Sequence, residues 1–374
     1  MRAGRVFRAP ARRLLLAAGL AFAAGVAAEP LEYARALATA TPPAVLEASP
    51  GLQLPSLRKG SKGDAVLRLN AALVRAGLTS FRPQPPDVYG PEHEFAVKLL
   101  QRHFGLQDDG IAGPILYANL AAGATQRNAA VESFALRVER LAHEARSEGR
   151  RRMIVVNVPS FMLRAIDLDS GRTVVETPVI VGRRERPTPT GRFNVISLKF
   201  NPNWNPPPVV LKKDIEPRLG KGDARWFEKH GLIAVGPDGR TKPGHELTRA
   251  EYDAGWTFTQ EPGEDNALGM LKFETDSKDR IYLHDTNERR LFAKPLRAQS
   301  SGCIRVRDWA ALAAFLAGTT EDKVMERVDT GETRWVKVEK VPVYVEYSLG
   351  DVLGGKAVLF PDLYAGAAAP EGAR

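Results

Sequence analysis

The spacing of apolar residues changes once along the chain, and this change divides it into a helical part and a strand-rich part. Between residues 57 and 120, apolar residues recur at helical spacing in three short segments, the first carrying Val66, Leu69 and Leu73. From Arg152 onward, short runs typical of β-strands replace this pattern. The sequence therefore predicts a multidomain α+β fold.

Glycine and proline mark the ends of the helical segments. Gly105 follows the second segment and Pro114 starts the third. A fourth amphipathic segment follows before the strand texture begins. We therefore expect a small three-helix bundle over residues 55–122 and a connecting helix over residues 123–150.

The second part is mainly β. Its pattern predicts strands at 153–158, 161–167 and 173–181, with strand texture again at 335–347. A stretch rich in proline, glycine and charge interrupts it at 205–255. Long loops in compact domains usually act as lids or binding loops, so we expect a long capping loop there.

The domain limits follow from these changes in texture. We expect the strand-rich domain to occupy residues 151–330, with residues 331–364 returning to the same sheet. Residues 365–374 are expected to be a tail.

The first 28 residues have the composition of a secretory signal. Five arginines precede an apolar stretch, 14–28, that is too short to span a bilayer comfortably and ends Val26-Ala27-Ala28. We expect cleavage after Ala28, leaving a linker over 29–54. An uncleaved anchor and a twin-arginine export route are the alternatives. The mature protein is expected to be soluble outside the cytoplasm.

The charge balance excludes one class of partner. Lys and Arg number 53 against 44 Asp and Glu, and five of the arginines lie in the signal-like segment. The remaining excess is too small to indicate a nucleic-acid-binding protein, although it permits an anionic polymer as a partner.

Cys303 is the chain's single cysteine. An unpaired cysteine in an exported protein is either an intermolecular bridge or a free reactive thiol. Gly302 precedes it and lets the backbone approach a substrate closely. A predicted helix capped by Asp308 follows, and we expect its positive end to favour a thiolate. The pattern predicts a cysteine nucleophile, and a buried, inert thiol is the alternative.

His284 is the best candidate for the base that such a nucleophile needs. It closes the run Ile281-Tyr282-Leu283-His284, in which strand alternation puts Tyr282 and His284 on one face. A histidine at a strand end points into a site more often than one in the middle of a helix.

Two sets of sequence blocks resemble families of cell-wall enzymes. Residues 57–66, 96–106 and 109–114 resemble the peptidoglycan-binding-like domain. Residues 284–286 and 300–306 are similar to the catalytic domain of the L,D-transpeptidase family, of YkuD type, in its YcbB-like branch. Supporting blocks lie at 187–191, 201–207, 262–263, 266–269, 272–273, 342–343 and 362–364. The wider family usually has histidine where this chain has Ser301, and the YcbB-like branch tolerates serine.

The resemblance implies acyl transfer on peptidoglycan stem peptides. Cys303 would attack the third residue of a donor tetrapeptide and form a thioester, which an amine of an acceptor stem would resolve as a 3-to-3 cross-link. His284 would activate the thiol, and the backbone carbonyl of Asp285 would orient its ring. The N–H groups of Gly302 and Cys303 would form the oxyanion hole.

The resemblance also implies substrate contacts and inhibitors. Tyr282, Arg305, Trp204 and Ser301 are candidates for substrate binding, each with an ordinary structural role as the alternative. Carbapenem-type β-lactams are expected to acylate Cys303. No cofactor is expected.

Other functions stay open at this stage. The same acyl-enzyme would serve an L,D-carboxypeptidase or an exchange of D-amino acids. A zinc peptidase would need clustered ligands, but the run from His143 to Ser147 has serine where the H-E-x-x-H pattern needs its second histidine, so we expect no metal. A non-catalytic wall-binding protein is the remaining alternative, and the combination of His284 with Cys303 counts against it.

Overall fold

The computed structural model describes residues 54–365 except 77, 79–81, 84, 220 and 222. The expected signal segment, all but the last residue of the expected linker and nearly all of the tail lie outside the described residues. No helix in the described part of the chain is long and apolar enough to cross a membrane.

The described residues form two compact units. The helices are α1 (Asp64–Arg75), α2 (Pro91–Phe104), α3 (Pro114–Ala121), α4 (Ala124–Ser147), α5 (Ala224–Lys229), α6 (Arg249–Asp253), α7 (Trp309–Ala317) and α8 (Glu321–Asp329). The strands are β1 (Arg152–Asn157), β2 (Met162–Asp167), β3 (Arg172–Gly182), β4 (Gly191–Phe200), β5 (Ile233–Val235), β6 (Thr241–Pro243), β7 (Thr257–Thr259), β8 (Leu271–Thr275), β9 (Leu283–His284), β10 (Ala298–Ser300), β11 (Ile304–Val306), β12 (Arg334–Glu346), β13 (Gly350–Leu353) and β14 (Lys356–Leu359).

The first unit contains the helical bundle that the apolar spacing predicts. The apolar faces of α1, α2 and α3 meet in one core that includes Leu69, Leu73, Leu100 and Leu116, all buried. Burial of these faces stabilises helices that are individually too short to persist in water. Gly63 takes the N-cap position of α1, and Asp64 is the first residue of the helix.

The C-terminal hairpin of β13 and β14 also belongs to this first unit. The backbone of Leu359 exchanges two hydrogen bonds with the Asn119 side chain, at 2.8 and 3.0 Å. Ala357 packs against Val131 and Ala135 of α4. We expected all of residues 331–364 to rejoin the large sheet, but strands of four residues carry no sequence signal for their partner.

The second unit is built on a nine-stranded sheet in the order β10-β3-β11-β9-β8-β4-β12-β1-β2. An additional pairing between β2 and β3 joins its two sides, so the sheet closes on itself. β1 and β12 pair in parallel, with Ile154 opposite Val343, and both residues are fully buried. Residues of α7 and α8, including Leu312 and Val324, complete the core. The mainly-β domain predicted from the sequence is therefore present.

Residues 205–259, here called the insertion, are folded, in contrast to the long capping loop that we expected. A three-stranded sheet, β6-β5-β7, packs with short helices around Ile215, Phe227 and Phe258. Backbone hydrogen bonds of 3.0 and 2.8 Å pair Trp204 with Gln260 and close its base. Three-residue strands are too short to show alternation, which explains why the sequence pattern missed them.

Candidate active site

Cys303 lies in the turn between β10 and β11, here called the cysteine turn (residues 300–303). The buried Ser300 hydroxyl accepts the Gly302 N–H at 3.1 Å and donates to the Cys303 carbonyl at 2.6 Å. Gly302 has a φ of 117°, in the region that favours glycine. The turn is thus held by its own hydrogen bonds, and Cys303 remains half-buried.

Thr188 and Tyr364 support this turn from behind. The Thr188 hydroxyl donates to the Gly302 carbonyl and accepts from the Gly182 N–H, each at 2.8 Å. The Tyr364 hydroxyl accepts the Thr188 N–H at 3.1 Å and donates to the Gly182 carbonyl at 2.7 Å. Thr188 and Tyr364 are both buried, so the chain's C-terminal segment helps to fix the cysteine turn.

His284 ends β9, the strand that pairs with β11 directly after the cysteine turn. Parallel pairing of β9 with β11 sets His284 opposite Arg305. Burial lowers the pKa of His284 to about 3, with a further contribution from the positive charge of Arg305, while the Asp285 backbone carbonyl acts in the opposite direction. Its buried Nδ1 has no hydrogen-bond partner within the described residues. The imidazole is therefore neutral at neutral pH and available as a base.

Asp285 anchors the end of β9. Its carboxylate accepts the Met270 N–H at 2.9 Å and pairs with the Arg289 guanidinium at 3.0 Å. Burial raises the pKa of this carboxyl, and both contacts oppose the rise. The side chain of Asp285 therefore fixes the backbone whose carbonyl raises the pKa of the His284 ring.

Tyr282 connects the thiol to the base of the insertion. Besides burial, the Cys303 side chain raises the pKa of the Tyr282 hydroxyl, and the Trp204 side chain lowers it, so both side chains interact with it. The Tyr282 ring centroid lies 5.5 Å from that of His284. Burial raises the pKa of Tyr282 well above its ordinary value, so the hydroxyl keeps its proton as a donor.

Several groups change the pKa of the Cys303 thiol. Burial raises the pKa of the thiol, whereas the backbone and the side chain of Tyr282 and the charges of Lys272 and Arg305 lower it. Strand β11 separates Cys303 from α7, so the start of that helix is not directly next to the thiol. Stabilisation of the thiolate by the helix end stays a prediction, and the positive groups that lower the pKa of the thiol are the side chains of Lys272 and Arg305.

The structure brings together most of the residues selected from the sequence. Arg305 forms an ion pair with Glu288 at 2.6 Å, and Ser301 accepts a hydrogen bond from Arg186 at 2.9 Å. The Gly302 N–H is occupied by Ser300, which leaves the Cys303 N–H as the candidate oxyanion donor that needs no rearrangement.

Lys272 lies in one of the blocks that carry the resemblance, 272–273, but the sequence assigned it no role. Its ammonium lies 4.3 Å from the centre of the Tyr282 ring, and it sits opposite His284 in the pairing of β8 with β9. A lysine on a neighbouring strand has no local signal that separates it from a surface lysine. Among the described residues, no three His, Cys, Asp or Glu side chains are grouped in a way that would hold a metal ion.

Comparison with known proteins defines the family. Residues 151–343 match the family described as the L,D-transpeptidase catalytic domain (YkuD), and residues 62–120 match the one described as "Putative peptidoglycan binding domain". Since the first match covers more than half of the chain, the protein belongs to the L,D-transpeptidase family. The resemblance seen in the sequence is thereby confirmed for both parts.

The individual relatives are between 13% and 32% identical to this chain over the matched residues. A "Putative L,D-transpeptidase" from Haemophilus influenzae is 32% identical over 216 residues, which are 56% of this chain and 44% of the relative. The chain thus spans less than half of that relative's length. A solved L,D-transpeptidase from Mycobacterium smegmatis shares 13% identity at a TM-score of 0.28, covering 52% of this chain and 58% of that one. L,D-transpeptidase 3 from Mycobacterium tuberculosis, solved with a faropenem-derived adduct, shares 15% at 0.25, covering 52% and 60%.

Proposed function

We propose that the protein forms 3-to-3 cross-links between peptidoglycan stem peptides through a thioester on Cys303. The observation that supports this proposal is Tyr282, whose side chain interacts with the half-buried Cys303 and whose ring lies 5.5 Å from that of a neutral His284, inside the matched catalytic domain. A thiol, a neutral base and a hydroxyl donor are the parts that cysteine acyl transfer needs.

Proton transfer accompanies the attack. The raised pKa of Cys303 keeps the thiol protonated at rest, and the lowered pKa of His284 keeps the imidazole unprotonated. His284 therefore accepts the thiol proton as the sulfur attacks, and Tyr282 and Lys272 favour the negative charge that develops on sulfur.

The acylation step forms a bond between Sγ of Cys303 and the carbonyl carbon of the donor's third residue. The bond from that carbon to the nitrogen of the terminal D-alanine breaks, and His284 returns its proton to the leaving amine. The carbonyl oxygen carries negative charge on the way, and the Cys303 N–H is placed to receive it. An amine of the acceptor stem then attacks the thioester and releases the thiolate, which is reprotonated.

Substrate recognition is assigned to residues around the cysteine turn. Trp204 and Tyr282 join the thiol to the base of the insertion, which makes the insertion the proposed cap of the donor groove. Ser301 and Arg305 flank the turn. The peptidoglycan-binding-like match at 62–120 supports a polymeric wall substrate, and the N-terminal composition supports export to the periplasm.

Incubation with defined stems tests the proposal. The purified protein is expected to convert a tetrapeptide donor and an acceptor stem into a 3-to-3 linked dimer, detected by mass spectrometry, and Cys303→Ala is expected to form none. A tripeptide without dimer would instead indicate an L,D-carboxypeptidase, and an exchanged terminal residue would indicate D-amino-acid exchange.

A second experiment separates an enzyme from a wall-binding protein. A carbapenem is expected to add its mass to the parent protein and not to Cys303→Ala. Absence of any adduct together with binding to isolated peptidoglycan would favour the non-catalytic alternative. Inactivation by a chelator and not by a thiol reagent would favour the zinc peptidase.

A further inference from the structure

Arg186 joins the insertion to the cysteine turn. Its Nη1 donates to the Ser301 hydroxyl at 2.9 Å and to Asp214 Oδ2 at 2.6 Å, while its Nη2 donates to Asp214 Oδ1 at 2.9 Å. Ser301 belongs to the cysteine turn, and Asp214 belongs to a π-helical segment of the insertion, Leu211–Ile215. One guanidinium therefore touches both parts.

The geometry of this contact is specific. The Arg186 side chain is only 9% exposed, and its two nitrogens meet the two oxygens of Asp214 in the paired arrangement that arginine forms with a carboxylate. Arg183 also approaches Asp214, at the longer distance of 3.7 Å, and its side chain is more exposed, at 39%. Arg186 is thus the better placed of the two arginines.

The backbone next to Arg186 is fixed as well. The Arg186 N–H donates to the Arg183 carbonyl at 2.9 Å. Two residues later, Thr188 holds the Gly302 carbonyl at 2.8 Å. The segment 186–188 therefore contacts the cysteine turn at two successive residues, through a side chain at Ser301 and through another at Gly302.

We propose that Arg186 is a positioning residue that couples docking of the insertion to the geometry of the cysteine turn. Moving the insertion away separates Asp214 from a nearly buried guanidinium, which opposes opening. Once Asp214 has moved away, the hydrogen bond to Ser301 is the one that remains of the three described above. Ser301 is therefore the residue of the cysteine turn through which Arg186 acts. The proposal rests on the proposed function only in taking Cys303 as the nucleophile.

Kinetics of matched variants test the coupling. Asp214→Asn removes the charge of the pair but keeps the Arg186 bond to Ser301, so we expect KM for a tetrapeptide donor to rise about tenfold with a small change in kcat. Alkylation of Cys303 by iodoacetamide is expected to stay within about twofold, since the small reagent needs no groove. Arg184→Ala, an exposed arginine of the same loop, is the control and is expected to match the parent.

Arg186→Ala removes both contacts and is expected to lower kcat as well as raise KM. Arg186→Lys is expected to recover part of the loss, because an ammonium can still reach one partner. The double variant of Arg186→Ala with Asp214→Asn is expected to be no worse than Arg186→Ala, since both changes break one interaction. Additive effects, or parental kinetics in Asp214→Asn, would overturn the coupling.

Hydrogen exchange supplies a readout that does not depend on cross-linking. Without substrate, amides in residues 205–259 are expected to exchange faster in Asp214→Asn than in the parent, whereas Arg184→Ala leaves them unchanged. Equal exchange in Asp214→Asn and the parent overturns the coupling even if the protein cross-links stems. Faster exchange in a protein that makes no cross-link sustains the coupling and refutes the proposed function.

Discussion

Gly269 and Asp285 lie so close together that no side chain fits between them: a Cβ atom on Gly269 would stand 2.2 Å from Oδ2 of Asp285. Gly269 also has a φ of 59°, which residues other than glycine seldom adopt. The Asp285 carboxylate covers this glycine while it accepts the next amide, that of Met270. The end of β9, and with it His284, is therefore located by the absence of a side chain.

Gly269→Ala is expected to displace Asp285 and so to misplace the His284 ring. We expect acylation by a carbapenem to slow by about tenfold or more, because a base shifted by a fraction of an ångström transfers protons poorly. Gly331→Ala is the control, since its φ of 68° imposes similar backbone strain and its Cβ meets no atom within 4 Å. Equal acylation rates in the two variants would contradict the positioning role of Asp285.

The reactivity of Cys303 is expected to keep rising with pH beyond the range of an ordinary cysteine. Burial raises the pKa of the thiol above its usual value of 9.0, so the thiolate fraction at neutral pH is small. The rate of iodoacetamide alkylation measured from pH 6 to 10 checks this. Tyr282→Phe removes a hydroxyl that favours the thiolate and is expected to slow alkylation at each pH; faster alkylation would contradict that role.

His284 is expected to make the protein less stable in acid. Its pKa is about 3 in the folded state against 6.5 for an ordinary histidine, so the unfolded chain binds the proton first as the pH falls. The contribution is absent above pH 6.5 and grows as the pH approaches 3, reaching about 3 kcal/mol at pH 4. Urea unfolding of the parent and of His284→Asn at pH 7 and pH 4 measures it. An equal loss of stability in both proteins would refute the assignment.

Thr188→Val is expected to loosen the cysteine turn. The substitution keeps the shape but leaves the Gly182 N–H and the Gly302 carbonyl without their shared hydroxyl, at a cost of about 1 to 3 kcal/mol. Transfer activity is expected to fall more than this stability loss explains, because Gly302 precedes Cys303, the proposed nucleophile. Thr173→Val, at an exposed strand position, is the control for stability. Parental activity in Thr188→Val would show that the turn holds without it.

Replacing the insertion by a short Gly/Ser linker is expected to leave a folded protein. The insertion has its own core, and the pairing of Trp204 with Gln260 closes its base. Cys303 should still react with iodoacetamide, whereas turnover of stem peptides should fall by about tenfold or more, since the groove that orients a long donor is lost. If the shortened protein cross-links stems as fast as the parent, the insertion is not a cap.

The sequence predicted the features that depend on local pattern. Strand alternation placed Tyr282 and His284 on one face, and the two residues lie with their rings 5.5 Å apart. The helical spacing around Val66 and Leu69 predicted α1 because each apolar residue of that face enters one core. Such features depend only on residues that are close together in the sequence.

The remaining features depend on contacts between distant parts of the chain. Thr188 and Gly302 are 114 residues apart, and their hydrogen bond exists only because the closed sheet brings β3 beside β11. Lys272 reaches Tyr282 only through the pairing of β8 with β9. Similarly, β11 forms after the cysteine turn because it pairs with β3 on one side and with β9 on the other. The three residues of β11 alone do not predict these partners.

The position of β12 determines when the sheet can assemble. Val343 pairs with Phe193 of β4 on one side and with Ile154 of β1 on the other, so the strand made last fills a gap between strands made first. During synthesis, more than a hundred residues are added after β4 before β12 is made, and until then β1 and β4 each have an unpaired edge. Unpaired edges are templates for intermolecular pairing. A chain that stops before residue 334 is therefore an aggregation hazard. A premature stop before β12 leaves the large sheet without the strand that joins β1 to β4.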